Sequence, residues 1–172
     1  MEFDRELFLA LDKGKSKDFV FRSYQFIKPT ITYGYPQQIN ELIDTPGYVN
    51  KGYEIVRRPT GGGIVFHDLS DYIFTYAGPI PSAPVPDTIE GSFLWISQIV
   101  KQGLEEIGIV AELIQNETGL TDPLCFAGGR KFELQIEGKK ILGLACRRGK
   151  RGFLMQGSLR SHVIFNNDFS GF

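Results

Sequence analysis

Cysteine is scarce in this chain of 172 residues: Cys125 and Cys146 are the only two. A disulfide framework is therefore excluded as the organiser of the fold, and a reducing cytoplasm is the simpler compartment. An excess of one charge is lacking too. Lys plus Arg number 19 against 20 Asp plus Glu, a formal net charge of −1, so no global basic field argues for nucleic acid. No apolar run approaches the roughly 18–20 residues of a membrane span. Met1-Glu2-Phe3-Asp4-Arg5 does not have the layout of a signal peptide. Repeats and low-complexity tracts are absent. His67, His162, Cys125 and Cys146 lack the close spacing of a zinc motif, so no protein-bound metal or other resident cofactor is expected. What remains is 42% hydrophobic residues, enough for a real core, in a length that suggests one domain over 1–172.

One stretch organises that domain: Arg57-Arg58-Pro59-Thr60-Gly61-Gly62-Gly63-Ile64-Val65-Phe66-His67-Asp68. Apolar runs rich in aromatic and β-branched residues flank it, 53–56 before and 71–77 after, and both read as strands. Two arginines and three glycines thus stand at a strand end and a sharp turn. Glycine tolerates φ > 0 and lets a ligand approach the backbone. Backbone N–H groups beside guanidinium groups suit an anion such as phosphate or carboxylate. The competing reading is a glycine-rich hairpin with solvated arginines. The whole string, closed by His67 and Asp68, favours a binding loop.

Taken in order, the chain reads as mixed α/β. Residues 4–11 carry Leu7, Phe8 and Leu11 at helical spacing. Residues 18–26 and 30–33 read as strands, and 40–43 as a short helix ending before Thr45-Pro46-Gly47. Asp87 and Glu90 form a capping-box pair ahead of Ile89, Phe93, Ile96, Val100, Leu104 and Ile107, the strongest helical pattern, which stops at Gly108. It is expected to pack on a sheet. Residues 110–114 read as a strand. Phe132, Leu134 and Ile136 alternate, Glu137-Gly138 signals a two-residue turn, and 139–145 returns as a hairpin that places Lys140, Leu142 and Leu144 on one face. A basic turn, 147–152, leads to a strand over 153–159. On general grounds a strand lysine such as Lys140 is a solvated edge residue, and a lone cysteine such as Cys125 is a small buried hydrophobe.

The twelve-residue string resembles the signature of the lipoate–protein ligase and octanoyltransferase family, which shares its catalytic domain with biotin–protein ligases. The matching positions are Arg57, Arg58, Thr60, Gly61, Gly62, Gly63, Ile64, Val65, His67 and Asp68. Weaker similarity runs over nearly the whole chain. The resemblance implies a mixed, largely antiparallel sheet flanked by helices, of the biotin/lipoyl ligase type. Residues 138–145 resemble the family strand whose second basic residue is the essential lysine, which is Lys140 here. Such an ammonium group polarises the acyl carbonyl. Cys125-Phe126 is similar to the cysteine-type octanoyltransferases, where the cysteine carries the acyl group as a thioester. A thiolate near cations is a competent nucleophile, with Cys146 as the rival thiol. Arg57, Arg58, Gly61, Gly62, Gly63, Ile64, Val65, His67, Gly143 and Ala145 are the implied substrate-binding residues.

The resemblance further implies transfer of an octanoyl or lipoyl group to a lysine of a lipoyl-acceptor domain, such as glycine cleavage H protein or a 2-oxoacid dehydrogenase E2 subunit, with acyl-carrier protein as donor. An ATP- and magnesium-dependent lipoate ligase is the first rival. The Asn-Asp pair that ligases carry near the hairpin start is not found, which favours transfer. Leu144, Cys146 and Gln156 stand where the family has Ser, Gln and His. With no C-terminal accessory domain expected, these departures also motivate a need for an accessory subunit, or a non-catalytic acyl-binding module.

Overall fold

A computed structural model describes residues 1–81, 85–117 and 129–165. The opening helix, α1 (Glu2–Asp12), turns Phe8 and Leu11 onto the sheet beneath it, where they pack with Ala77 and Leu154. Its buried face also carries a carboxylate, Asp4. Strands β1 (Val20–Tyr24) and β2 (Thr30–Tyr33) follow, near and at the bounds read from the sequence.

The next segment departs from expectation. A single 3-10 turn covers Ile39–Glu41, and a helix, α2 (Thr45–Asn50), begins where a break was expected. Pro46 sits in its first turn, where a missing N–H costs nothing. Asp44 caps it by accepting the Gly47 N–H at 3.1 Å.

Strands β3 (Glu54–Arg57), β4 (Val65–His67) and β5 (Tyr72–Pro79) lead to the long helix α3 (Ile89–Glu106). Its cap is Thr88, whose hydroxyl accepts the Gly91 N–H at 3.0 Å, and not the Asp87–Glu90 pair. Then come β6 (Glu112–Leu113), β7 (Leu134–Ile136), β8 (Lys139–Lys140), β9 (Leu142–Arg148), β10 (Gly152–Leu159) and α4 (Ser161–Phe165). Among the described residues no helix is long and apolar enough to cross a membrane.

Among the described residues the strands form three small sheets. The largest has the order β1-β5-β10-β9 and is antiparallel throughout. The second has the order β3-β2-β4, with β2 and β3 parallel and β2 and β4 antiparallel. The third, β6-β7-β8, is antiparallel. The expected mixed, largely antiparallel architecture is therefore present, divided among three sheets.

Period-two alternation gives the largest sheet two different faces. Phe74, Phe153, Met155, Leu142 and Leu144 join Phe93, Ile96 and Leu104 of α3 in the main core. The register pairs Ser158 with Gly143, Gln156 with Ala145 and Gln156 with Thr75, so these residues share the opposite face, the one that α1 covers. That face mixes small and polar side chains with Ile73 and Leu154, where the first bears large apolar ones.

The hairpin turns at Glu137 and Gly138, with φ of 49° and 78°, as a two-residue turn with both central residues left-handed requires. Its return strand is not continuous. Lys140 pairs with Gln135 in the third sheet, while Leu142 pairs with Leu159 in the largest. The chain changes sheets at Ile141, so Lys140 does not simply share one strand face with Leu142 and Leu144.

Candidate active site

The arginine–glycine loop joins β3 to β4, which flank β2 on opposite sides, so it must cross the end of β2. Gly34 follows β2 directly under the crossing, and a Cβ there would collide with the carbonyl oxygen of Gly62. Gly62 has φ of +91°, a conformation that glycine adopts without penalty. The loop is not a hairpin turn.

Four of its carbonyl groups have donors. Arg58 Nη2 donates to Gly61 O at 3.1 Å and Gly63 O at 2.7 Å. Arg147 Nη1 donates to Pro59 O at 3.1 Å, and the Tyr35 N–H to Thr60 O at 2.8 Å. Arg57 is exposed, donates from Nε to Tyr35 O at 2.9 Å and lies 4.5 Å from the centre of the Tyr35 ring. Both arginines, read from the sequence as anion ligands, donate to backbone carbonyls, and Arg58, the buried brace of the loop, also lines the cavity beside it.

A cavity opens beside this brace. Arg58, Thr32, Val65, His67, Ile73, Ala145, Gln156 and Ser158 contribute to its walls. Val65, Ile73 and Ala145 are apolar. Gly143 and Ala145 keep the β9 wall shallow.

The polar end is a short relay. The Thr32 hydroxyl accepts from Arg58 Nη1 at 2.7 Å and lies 2.7 Å from His67 Nε2. Donating its one proton to Nε2 leaves the Nδ1 proton of His67 facing Ser158 Oγ at 3.4 Å. Burial, with the Arg58 and Arg160 guanidinium groups nearby, pushes the His67 pKa down to about 3. The imidazole is therefore neutral near neutral pH, and its 4.0 Å approach to Asp71 is not an ion pair there.

A second buried chain ties the loop to α1. Thr60 Oγ1 donates to Gln156 Oε1 at 2.8 Å, and Gln156 Nε2 donates to Asp4 Oδ2 at 2.9 Å. Asp4 also receives Thr75 Oγ1 at 3.1 Å and pairs with Arg22 at 3.0 Å.

Residues 1–169 match the family model of the lipoyl protein ligase A/B catalytic domain. The chain belongs to that family. It is 34% identical over 132 residues to the octanoyltransferase LipM of Carboxydothermus hydrogenoformans, covering 76% of this chain and 49% of that protein. It is 30% identical over 182 residues to the octanoyltransferase LipM of Staphylococcus epidermidis, covering 100% of this chain and 64% of that protein. The chain thus spans between about half and two thirds of the length of these curated relatives. Among solved structures, protein Ta0514 of T. acidophilum with bound lipoic acid is similar with a TM-score of 0.69 at 22% identity, over 91% of this chain and 63% of that chain. That likeness bears on the fold.

Against the family signature, the structure brings Arg58, Val65, His67, Gly143 and Ala145 to one cavity. Ile64 points away into the small core of Ile31 and Ile39. Arg57 and Gly61 to Gly63 form the crossing above and do not line the cavity.

Lys140 is not in the cavity wall. It is buried in an ion pair with Glu133, with Nζ 2.6 Å from Oε2. Cys146 projects from the α3 face of β9 and packs against the main core, away from the face of Gly143 and Ala145. Burial pushes its thiol up to about 12, so it is a protonated core residue rather than a reactive thiolate. Cys125 lies outside the described residues.

Sequence reading missed Thr32, Ile73 and Ser158 as cavity residues and Thr60 and Asp4 as supports. Thr32 and Thr60 were legible only as β-branched or signature positions, because nothing in spacing reveals a partner 35 or 96 residues away.

Proposed function

We propose that this chain transfers an octanoyl or lipoyl group onto a lysine of a lipoyl-acceptor domain. The observation that carries the proposal is the apolar-walled cavity that ends on the Arg58–Thr32–His67 relay under the glycine crossing. Such a site suits an unbranched acyl chain with one polar end. The LipM relatives supply the reaction class, and the lipoic acid held by the T. acidophilum protein supplies the ligand class.

In the proposed reaction the Cys125 thiolate attacks the thioester carbonyl of the acyl donor and expels the carrier's thiolate. The acceptor ε-amine then attacks the Cys125 thioester, forming an amide and releasing the Cys125 thiolate, with the amine's lost proton passing to solvent. The role proposed for the Lys140 ammonium, paired with Glu133 beside the cavity strand, is to stabilise the charge that develops on the carbonyl oxygen in both steps. His67, neutral, donates and accepts hydrogen bonds in the cavity wall and holds Thr32 in place.

Intact-mass measurement after incubation with octanoyl-acyl-carrier protein tests this. The expected result is one octanoyl group added to the wild-type chain, discharged by a lipoyl-acceptor domain, and no addition to Cys125→Ala. AMP release from lipoate and ATP without any adduct would replace the thioester route with ligation. Neither adduct nor AMP, with acyl binding retained, would leave a binding module.

A further inference from the structure

Glu133 is completely buried and stands just before β7. Its backbone is fixed at both ends, its own N–H donating to Arg130 O at 3.1 Å. The Ile114 N–H donates to Glu133 O at 2.8 Å, and the adjacent Phe132 N–H donates to Ile114 O at 2.9 Å. Phe132 itself has φ of 74°, a left-handed conformation that turns the chain into the strand.

The carboxylate from this rigid base reaches three groups. Oε2 lies 2.6 Å from Lys140 Nζ and accepts the Arg130 N–H at 2.9 Å. Oε1 accepts the Leu144 N–H at 2.9 Å. Leu144 belongs to β9 and borders the cavity, between Gly143 and Ala145. The carboxylate therefore spans the break at Ile141, with the ammonium on one oxygen and the cavity strand on the other.

The register explains how a residue before β7 meets one on β8. Gln135 is opposite Lys140, and Glu133 is two residues back on the same side, the diagonal neighbour that long side chains reach. A buried ammonium group needs a counter-charge to remain charged and in place.

We propose that Glu133 is the positioning residue for Lys140: it holds the ammonium group one carboxylate away from the cavity strand, and the sheet change at Ile141 is what creates the gap it fills. This rests on the proposed role of Lys140 in acyl transfer. Glu133 touches no substrate and acts through Lys140.

The test uses Glu133→Gln and Glu133→Asp in the full chain, with two readouts. Amine acetylation followed by peptide mapping compares Lys140 with exposed Lys51. Lys140 is expected to label slowly in the wild type and much faster in both variants. Steady-state octanoyl transfer is expected to fall in kcat by about 10²–10³-fold, as for loss of an oxyanion-stabilising group, with KM for the acyl donor little changed.

In a Lys140→Ala background, Glu133→Gln is expected to lower transfer no further, which a general loss of structure would not reproduce. Should Glu133→Gln fail to fold, Glu133→Asp keeps the charge, shortens its reach, and is read in the same two ways. Unchanged Lys140 labelling in a folded variant, or full transfer by it, overturns the proposal. Absence of transfer in the wild type would overturn the enzymatic reading alone, because the labelling comparison needs no activity.

Discussion

Gly62 and Gly61 are neighbours with different physical demands. At Gly62 φ is +91°, and an added Cβ would stand 3.3 Å from Arg58 Nη2 and 3.7 Å from the Ala145 Cβ. At Gly61 nothing lies within 4 Å and the backbone is not left-handed. Gly62→Ala is therefore expected to cost about 1–2 kcal/mol of backbone strain and to press on the brace beside the cavity. Acyl-ligand affinity should fall while a melting curve still shows a folded chain, whereas Gly61→Ala should leave both nearly unchanged. Equal affinities for the two variants would reduce the crossing to an ordinary loop. Lys140 sets a different problem. Lys140→Ala should slow acyl transfer by about 10²–10³-fold, but it also leaves Glu133 buried without its cation, at a cost of about 3–5 kcal/mol. Pairing it with Glu133→Gln should recover much of the melting temperature and none of the rate, which separates chemistry from stability.

At the scale of elements, the site depends on how the crossing loop is anchored to parts of the chain far from it. The loop is tied to β2 through Arg58 and Thr32, and to β10 and α1 through Thr60, Gln156 and Asp4. Gln156 satisfies the Thr60 hydroxyl with its oxygen and Asp4 with its amide, so neither leaves a buried polar group unpaired there. Gln156→Leu keeps the volume and removes both bonds. The expected loss is about 1–3 kcal/mol, or a fall in melting temperature of a few degrees at about 2–4 °C per kcal/mol for a chain of this size. Acyl-ligand affinity should fall with it, because the anchor of the loop goes too. A variant as stable as the wild type would show that Thr60 and Asp4 find other partners.

For the whole molecule, His67 links stability to pH. Its pKa is near 6.5 unfolded and about 3 folded, mainly through burial. Above about pH 6.5 both states keep the imidazole neutral. Below it the unfolded chain binds a proton that the folded chain refuses, so stability is lost as pH falls from about 6.5 towards 3. The slope from this one group approaches about 1.4 kcal/mol per pH unit. Denaturant unfolding of the wild type and of His67→Gln at several values between pH 7.5 and 5 measures it. The wild type should weaken with acid over that window and the variant should do so less. Parallel curves would mean that the folded chain accommodates the imidazolium, against the pairing of Thr32 and Arg58 around it.

The sequence by itself determined the local elements and the nature of the site. Strand β2 lies at the four residues read as a strand, α3 follows its 3.6-residue pattern, and Glu137-Gly138 makes the turn its composition demands. The string from Arg57 to Asp68 carried the resemblance to the family, because its order of residues is specific where three glycines alone are not. The sequence did not determine which strands pair. Parallel β3 beside β2, with β4 on its other side, converts an apparent hairpin turn into a crossing, and the arginines thereby become braces. Nor did it show that the hairpin's return strand breaks at Ile141, so that Lys140 pairs in one sheet with Glu133 beside it while Leu142, Leu144 and Cys146 face the main core from another. Periodicity reports which side of an element is buried. What it is buried against depends on contacts between distant residues, and those are chosen only when the sheets pack and every buried charge and backbone group must find a partner.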